Sequence, residues 1–334
     1  MTLPIAINGV GRVGRALIRR LGEHPELELV ALNDLASGEQ LAALLARDTF
    51  HGPSPVAIAV GEGSLVVAGR SIPLTHEREP EAIPWAASGA RLVIEATGTL
   101  ATDRAAEAHL RDSVERVILS SNSAAADLTV CMGVNHGSIL PSHRLLSASS
   151  CTTNCLAVTA TVLEREFGVR RALLNTVHCY NNDQNLVDAP HSDPRRARAV
   201  AINMIPTTTG ASSAIGRVMP HLGDNLDGFA VRVPAAQVSL IDLVVDLDGK
   251  PDIDAVNNAF CRAANGEMAA VLAVSDEPLV STDFIGDPHS AIVDLTLTQT
   301  AGGGLFRVVC WYDNEAGYAA RLGDLAEYLA AAVV

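Results

Sequence analysis

The sequence predicts a two-part α/β chain: an N-terminal parallel sheet wound with helices, then an α+β half built on a mainly antiparallel sheet. Three observations predict it. In the first 150 residues, short apolar runs alternate with stretches of helical spacing, the pattern of parallel strands joined by crossover helices. A glycine-rich turn separates the first apolar run from the first helical stretch. Beyond Cys151 the extended runs lengthen and follow one another with fewer helices between them. A chain of 334 residues is long for one domain and suits two. The expected division is 1–150, 151–316, and a last helix over 317–334 that packs back on the first domain.

Taken in order, Pro4–Asn8 reads as a strand and Val13–Leu21 as a helix, because its apolar residues recur at helical spacing. Leu27–Asn33, Leu92–Ala96 and Val117–Leu119 are further strands of the same sheet. Thr152–Glu166 is a long helix. Ala172–Cys179, Phe229–Val233, Val238–Leu247, Ala291–Leu297 and Phe306–Trp311 are the strands of the second half, and Tyr318–Ala332 returns to helical spacing.

Composition narrows the function. Hydrophobic residues make up 48%, ample for two cores and too many for a disordered chain. A net charge of −14 argues against a general nucleic-acid or anionic-membrane surface, while leaving room for a local cationic pocket. No apolar run has membrane-spanning length, and the first residues lack the basic start and cleavage site of a signal peptide, so a cytoplasmic location is expected. Six cysteines spread over so long a chain are not a disulfide framework. Cys151 and Cys155 lack a second pair at ligand spacing, so no metal is expected.

Gly9, Gly11 and Gly14 form a G-x-G-x-x-G between a strand and a helix, and Asp34 ends the next strand. That context is the dinucleotide fingerprint of a Rossmann domain. The glycines let backbone approach a pyrophosphate at a helix N-terminus. A carboxylate at Asp34 accepts from a ribose and repels a 2′-phosphate, which favours NAD over NADP. Thr97 and Gly98 follow another strand and suit the cofactor's edge. In Ser149-Ser-Cys-Thr-Thr-Asn-Cys155, Cys151 opens a helix, where N–H groups and the helix dipole favour a thiolate. Cys155 lies one turn deeper, buried or acting as a resolving thiol. His178 ends a strand and is a candidate base for Cys151. His51, His76 and His191 are read as structural or exposed.

These segments resemble the glyceraldehyde-3-phosphate dehydrogenase superfamily: residues 6–15, Ser149–Cys155, Ile205–Ala211, Val231–Pro234 and Trp311–Glu315, spread in order over nearly the whole chain. The resemblance implies an NAD-dependent, phosphorylating oxidation of a phosphorylated aldehyde in glycolysis. It makes Cys151 the nucleophile and His178 the general base. Asn314 holds the nicotinamide carboxamide, and Arg12 and Val13 meet the pyrophosphate. Ser150, Thr152, Thr209 and Gly210 form the pocket for attacking inorganic phosphate, and Arg232 meets the substrate's own phosphate. It also implies a homotetramer, with Tyr180–Met204 as the loop reaching a neighbouring subunit.

Four departures stand out. Asp183 occupies the place of a substrate-binding Thr; beside a phosphate about 4 Å away at an effective dielectric near 20, it costs roughly 4 kcal/mol unless an Arg pairs with it. Val187–Arg198, Asp287–Asp294 and His76–Arg78 resemble the erythrose-4-phosphate dehydrogenase branch, in which water or phosphate takes the acyl group. Ala148 and Ala316 replace larger residues, and Ala316 removes a ring near the nicotinamide end. The readings to separate are therefore the three-carbon dehydrogenase, the four-carbon one, and a non-catalytic NAD-binding regulatory paralogue.

Overall fold

The computed structural model describes residues 2–100 and 104–331. Residues 332–334 of the terminal helix expected over 317–334 lie outside the described residues. The chain divides into two compact units. One comprises Met1–Val130, His136–Ser149 and Tyr318–Val334; the other comprises Cys131–Asn135 and Ser150–Gly317.

The first unit carries β1 (Leu3–Asn8), α1 (Arg12–Arg20), β2 (Leu27–Asn33), α2 (Gly38–Ala46), β3 (Arg47–Asp48), β4 (Gly52–Pro53), β5 (Ile58–Gly61), β6 (Ser64–Val67), β7 (Arg70–Thr75), α3 (Trp85–Ser88), β8 (Leu92–Glu95), β9 (Arg116–Leu119), β10 (Leu128–Thr129) and β11 (Leu145–Ser147). Nine strands make one sheet in the order β10-β11-β9-β8-β1-β2-β7-β6-β5. Pairing is parallel from β10 through β7, and β1 and β8 at its centre are almost wholly buried. A strand covered on both faces reads as a continuous apolar run, which is why these were visible in the sequence.

The antiparallel arm β5-β6-β7 was not expected from the sequence. β5 has no fully buried position and so shows no apolar alternation. The crossover between β7 and β8 also differs from expectation. It holds a 3-10 turn at Pro80–Ala82 and one α-helical turn, α3, whose Trp85 is buried in the core beneath the sheet.

The second unit carries α4 (Cys151–Phe167), β12 (Val169–Cys179), β13 (Ile205–Thr207), α5 (Ala211–Val218), β14 (Leu226–Val233), β15 (Ser239–Leu247), α6 (Ile253–Ala264), β16 (Leu272–Ser275), β17 (Ala291–Asp294), β18 (Gln299–Gly302) and β19 (Leu305–Tyr312). The sheet order is β13-β14-β12-β15-β19-β17-β16, with β18 added to β19. Most pairs are antiparallel; β12 with β14 and β16 with β17 are parallel. The strand expected to run from Ala291 to Leu297 stops at Asp294. The Asp294 carboxylate accepts from the backbone N–H of Thr296 at 3.1 Å and from its hydroxyl at 2.6 Å, which turns the chain into a short 3-10 segment.

Helix α4 is buried from Thr152 through Leu163 and packs on α5, α6 and the sheet. Its threonines are compatible with burial because Thr159 and Thr161 donate to the carbonyls of Cys155 and Ala157 at 2.9 and 2.7 Å. The last helix, α7 (Ala316–Ala331), belongs to the first unit from Tyr318 onward. Within that unit Tyr318 donates to the Ser149 carbonyl at 2.9 Å, and Glu327 meets His24 at 2.7 Å.

Candidate active site

In the first unit, the carboxyl ends of β1, β2 and β8 frame a cleft of about 370 Å³ lined by Gly9, Gly11, Asn33, Asp34, Arg78 and Thr97, among others. Two glycines are forced by space. Gly9 has φ +94°, and a Cβ there would lie 2.7 Å from the Thr97 amide nitrogen. A Cβ on Gly14 would lie 2.2 Å from the Gly9 carbonyl oxygen, so α1 can approach β1 only without one. Gly11, at the N-cap of α1, faces open space instead, with nothing within 4 Å of where a Cβ would sit. A tight turn, a bare helix N-terminus and room above it suit a pyrophosphate.

Asp34 is half-buried. One carboxylate oxygen accepts from the Val10 amide at 2.7 Å and the other from the Ala36 amide at 2.9 Å. The same group that would meet a ribose therefore also braces the glycine-rich turn. Arg12 and Val13 are half-buried on the first turn of α1; Thr97 and Gly98 are exposed at the cleft edge, with Gly98 at φ +75°. Beneath the cleft lies a buried polar network that the sequence did not reveal. Glu95 accepts from Asn8 at 2.6 Å and from the Thr97 amide at 2.8 Å, and meets His109 at 3.2 Å. Burial raises the Glu95 carboxyl, but bonds from His109, Thr97 and Asn8 outweigh it and leave the group below its ordinary value.

In the second unit, Cys151 is the first residue of α4, immediately after the N-cap Ser150. Ser150 accepts from the Thr153 amide at 3.2 Å, and Ser149 before it holds φ 61°. The chain thus makes a strained corner that sets the thiol at the helix N-terminus. His178, near the end of β12, brings Nε2 to 3.7 Å from the Cys151 sulfur. Its Nδ1 lies 2.7 Å from the Cys179 carbonyl. A hydrogen on Nδ1, donated to that carbonyl, would leave the Nε2 lone pair facing the thiol, as a base requires; a guanidinium donor close to Nδ1 favours the other tautomer.

Arg232 sits across from His178, since β12 and β14 pair with these two residues in register. Its NH1 reaches 2.5 Å from His178 Nδ1 and donates to the Cys179 carbonyl at 3.1 Å. Among the described residues Arg232 pairs with no carboxylate, and its Nε is buried without a partner. Burial accordingly pulls this guanidinium below its ordinary value. A half-buried cation with no carboxylate partner suits an anion from outside the chain.

A preformed thiolate was expected of Cys151. In the free chain burial pushes the thiol up, against the opposing pull of Arg232 and of the Thr152 hydroxyl and nearby backbone N–H groups. Cys155 is fully buried in the core and also pushed well up by that burial.

Thr209 and Gly210 precede α5, where Thr209 accepts from the Ala211 amide at 3.2 Å. The Thr152 hydroxyl pairs with Tyr312 at 2.8 Å, and Tyr312 with Thr176 at 3.1 Å. Asn314 follows β19, and its Oδ1 accepts from the Cys179 thiol at 3.1 Å and the Val238 amide at 3.2 Å. Asp183 is paired with the Arg196 guanidinium and lies 3.5 Å from His191. Arg196 also donates to Thr207 at 2.8 Å. The repulsion anticipated from Asp183 is thus answered by Arg196, a residue that nothing in the spacing marks. Arginines in a polar loop are usually solvated, and the sequence shows no reason to single this one out. Cys179 and Tyr312 were missed for a similar reason: their partners lie far along the chain.

Residues 3–103 match the family described as glyceraldehyde 3-phosphate dehydrogenase, NAD binding domain, and residues 150–314 match its C-terminal domain. Among curated relatives, "Glyceraldehyde-3-phosphate dehydrogenase 1" of Bacillus cereus is 47% identical over 97% of this chain and 98% of its own length. "Glyceraldehyde-3-phosphate dehydrogenase" of Geobacillus stearothermophilus is 44% identical over 99% of each chain. "Glyceraldehyde-3-phosphate dehydrogenase 2" of Streptomyces arenae is 44% identical over 98% of each.

Proposed function

The chain belongs to the glyceraldehyde-3-phosphate dehydrogenase family, and from that premise we propose that it oxidises glyceraldehyde 3-phosphate with NAD and inorganic phosphate through an acyl group carried on Cys151. The observation that carries this reading is the half-buried guanidinium of Arg232, which pairs with no carboxylate among the described residues and whose Nε is buried without a partner, beside a thiol and an imidazole 3.7 Å apart. A thiol–imidazole pair alone serves many acyl transfers. A partly desolvated cation next to it favours an anionic substrate.

In the proposed sequence, Cys151 sulfur bonds to the aldehyde carbon while His178 Nε2 takes the thiol proton and returns it to the carbonyl oxygen, giving a thiohemiacetal. NAD, when bound, supplies the acceptor for the hydride. As the hydride leaves carbon, His178 takes the hydroxyl proton, and a thioester remains on Cys151. A phosphate oxygen then attacks the acyl carbon, and the sulfur leaves with the proton held by His178. A substrate phosphate drawn to Arg232 also moves the guanidinium off His178 Nδ1, which favours the tautomer that can act as base. Ser150, Thr152, Thr209 and Gly210 are proposed for the attacking phosphate. Ser150 and Gly210 each precede a helix, whose N-terminal amides favour an anion.

The cleft in the first unit fits the dinucleotide through Gly9, Gly14 and Asp34 and the open space at Gly11. Asn314 is proposed for the nicotinamide carboxamide. Large apolar side chains at Leu186, Val187, Ile202 and Met204 are exposed in the 180–204 loop, which supports a homotetramer in which that loop is covered. No helix of the described residues is long and apolar enough to cross a membrane, and a cytoplasmic setting is proposed.

The test is a substrate panel: purified protein with NAD and either the three-carbon or the four-carbon aldose phosphate, each with and without inorganic phosphate. Turnover of the three-carbon substrate that depends on phosphate is expected. Faster, phosphate-independent turnover of the four-carbon substrate would reject the proposal in favour of the erythrose-4-phosphate reading.

A further inference from the structure

Asn314 has a carboxamide that can be held either way round, and only one orientation offers its NH2 to a carbonyl on a ligand. Two donors on the protein decide which. The Cys179 thiol donates to Oδ1 at 3.1 Å, and the Val238 backbone N–H donates to the same oxygen at 3.2 Å. Asn314 Nδ2 donates to no described residue, so with both donors on the oxygen the NH2 is left for an outside acceptor.

Two features show that this arrangement is held against opposition. Val238 lies at φ 63°, the left-handed region that a β-branched side chain strongly disfavours. That backbone twist is what carries its N–H to Asn314. The turn bearing Asn314 is itself tied down through Asp313, whose carboxylate accepts from Gln237 at 2.6 Å and from the amides of Glu315, Ala316 and Gly286 at 2.8, 2.9 and 2.8 Å. Cys179 is fully buried, and its carbonyl is also the group shared by His178 Nδ1 and Arg232. A single residue thus touches the proposed base, the proposed anion contact and the proposed nicotinamide contact: its carbonyl meets the first two, and its sulfur meets Asn314 at 3.1 Å and lies 3.7 Å from His178 Nδ1.

We propose that Cys179 is a positioning residue: its thiol, together with the strained Val238 amide, fixes the Asn314 carboxamide with its NH2 presented to the nicotinamide amide of the cofactor. This rests on the assignment of Asn314 made above. Loss of the thiol donor leaves the carboxamide held by the Val238 amide alone and loosens its hold on the nicotinamide, while the rest of the cofactor is held as before.

The experiment compares the dissociation constants of NAD and of ADP-ribose, the same cofactor without its nicotinamide, in wild type, Cys179→Ala, Cys179→Ser, Cys179→Val and Asn314→Ala. Cys179→Ala is expected to weaken NAD about fivefold, the scale of one net hydrogen bond, and to leave ADP-ribose unchanged. Cys179→Val, which removes the donor without leaving a cavity, is expected to give the same split, so a packing defect in the alanine variant does not decide the result. Cys179→Ser restores a donor and is expected to bind NAD within about twofold of wild type. Equal weakening of both ligands, or of neither, in Cys179→Ala and Cys179→Val would overturn the role of Cys179 if Asn314→Ala still separates the two ligands. If Asn314→Ala fails to separate them, the assignment of Asn314 falls, and the positioning role falls with it.

Discussion

The two functional regions of this molecule are made of different material. The cleft of the first unit is built largely from backbone: a tight turn, a helix N-terminus and the absence of side chains at Gly9 and Gly14. The site of the second unit is built from side chains delivered by separate elements: Cys151 from the start of α4, His178 from β12, Arg232 from β14 and Asn314 from beyond β19. A backbone cradle needs only a short, contiguous stretch of the right residues. A convergent site needs the sheet register to be correct first, as the pairing of His178 with Arg232 shows. The comparison predicts that the two regions fail independently, and the variants below test that, from the largest effect to the smallest.

Cys151→Ser is expected to lower turnover by at least about a thousandfold, because a neutral hydroxyl is a far weaker nucleophile with the same base. NAD binding by calorimetry is expected to stay near wild type. Retained turnover would remove Cys151 from the mechanism, and lost NAD binding would show that the two regions are not separable.

His178→Asn is expected to slow the reaction roughly a hundredfold, the usual contribution of a positioned acid–base group. Here the measurement is single-turnover acylation, with a wild-type rate as the outcome that breaks the assignment.

Arg232→Ala is expected to shift the alkylation profile of Cys151. Burial already holds this thiol above its ordinary value and Arg232 pulls it down, so removing the cation raises the midpoint further. The alkylation rate by iodoacetamide should rise with pH in the wild type, and the variant's rise should begin at higher pH. A midpoint that stays put or falls would contradict the electrostatic role.

Asp34→Gly is expected to have the smallest effect on chemistry: relaxed discrimination against NADP, with Cys151 alkylation unchanged. Because Asp34 also accepts from Val10 at 2.7 Å, a modest loss of NAD affinity should accompany it. Unchanged cofactor preference would leave Asp34 as a brace of the turn and nothing more.

Much of this was legible in the sequence because it is local. The parallel strands show as apolar runs since both faces are covered, and β1 with Gly9, Gly11 and Gly14 shows as a strand, turn and helix. Cys151 at the head of α4 was readable because a helix start has its own signature, with Ser150 as its cap. The short arm β5-β6-β7 was not: β5 buries no position fully and so lacks the alternation that marks a half-buried strand, and β6 and β7 are short.

What only the tertiary structure decided is what depends on residues meeting across long separations. It set burial against helix-end stabilisation at the Cys151 thiol, since the environment of one sulfur is made by groups from α4, β12 and β14 together. It placed Arg196 on Asp183, turning an expected repulsion into a pair. It put the Cys179 and Val238 donors on one oxygen of Asn314. The sequence determined the elements and their chemistry, because turns, caps and apolar periodicity act over a few residues. Pairing of distant groups follows from strand register and packing, and these belong to no short stretch of chain.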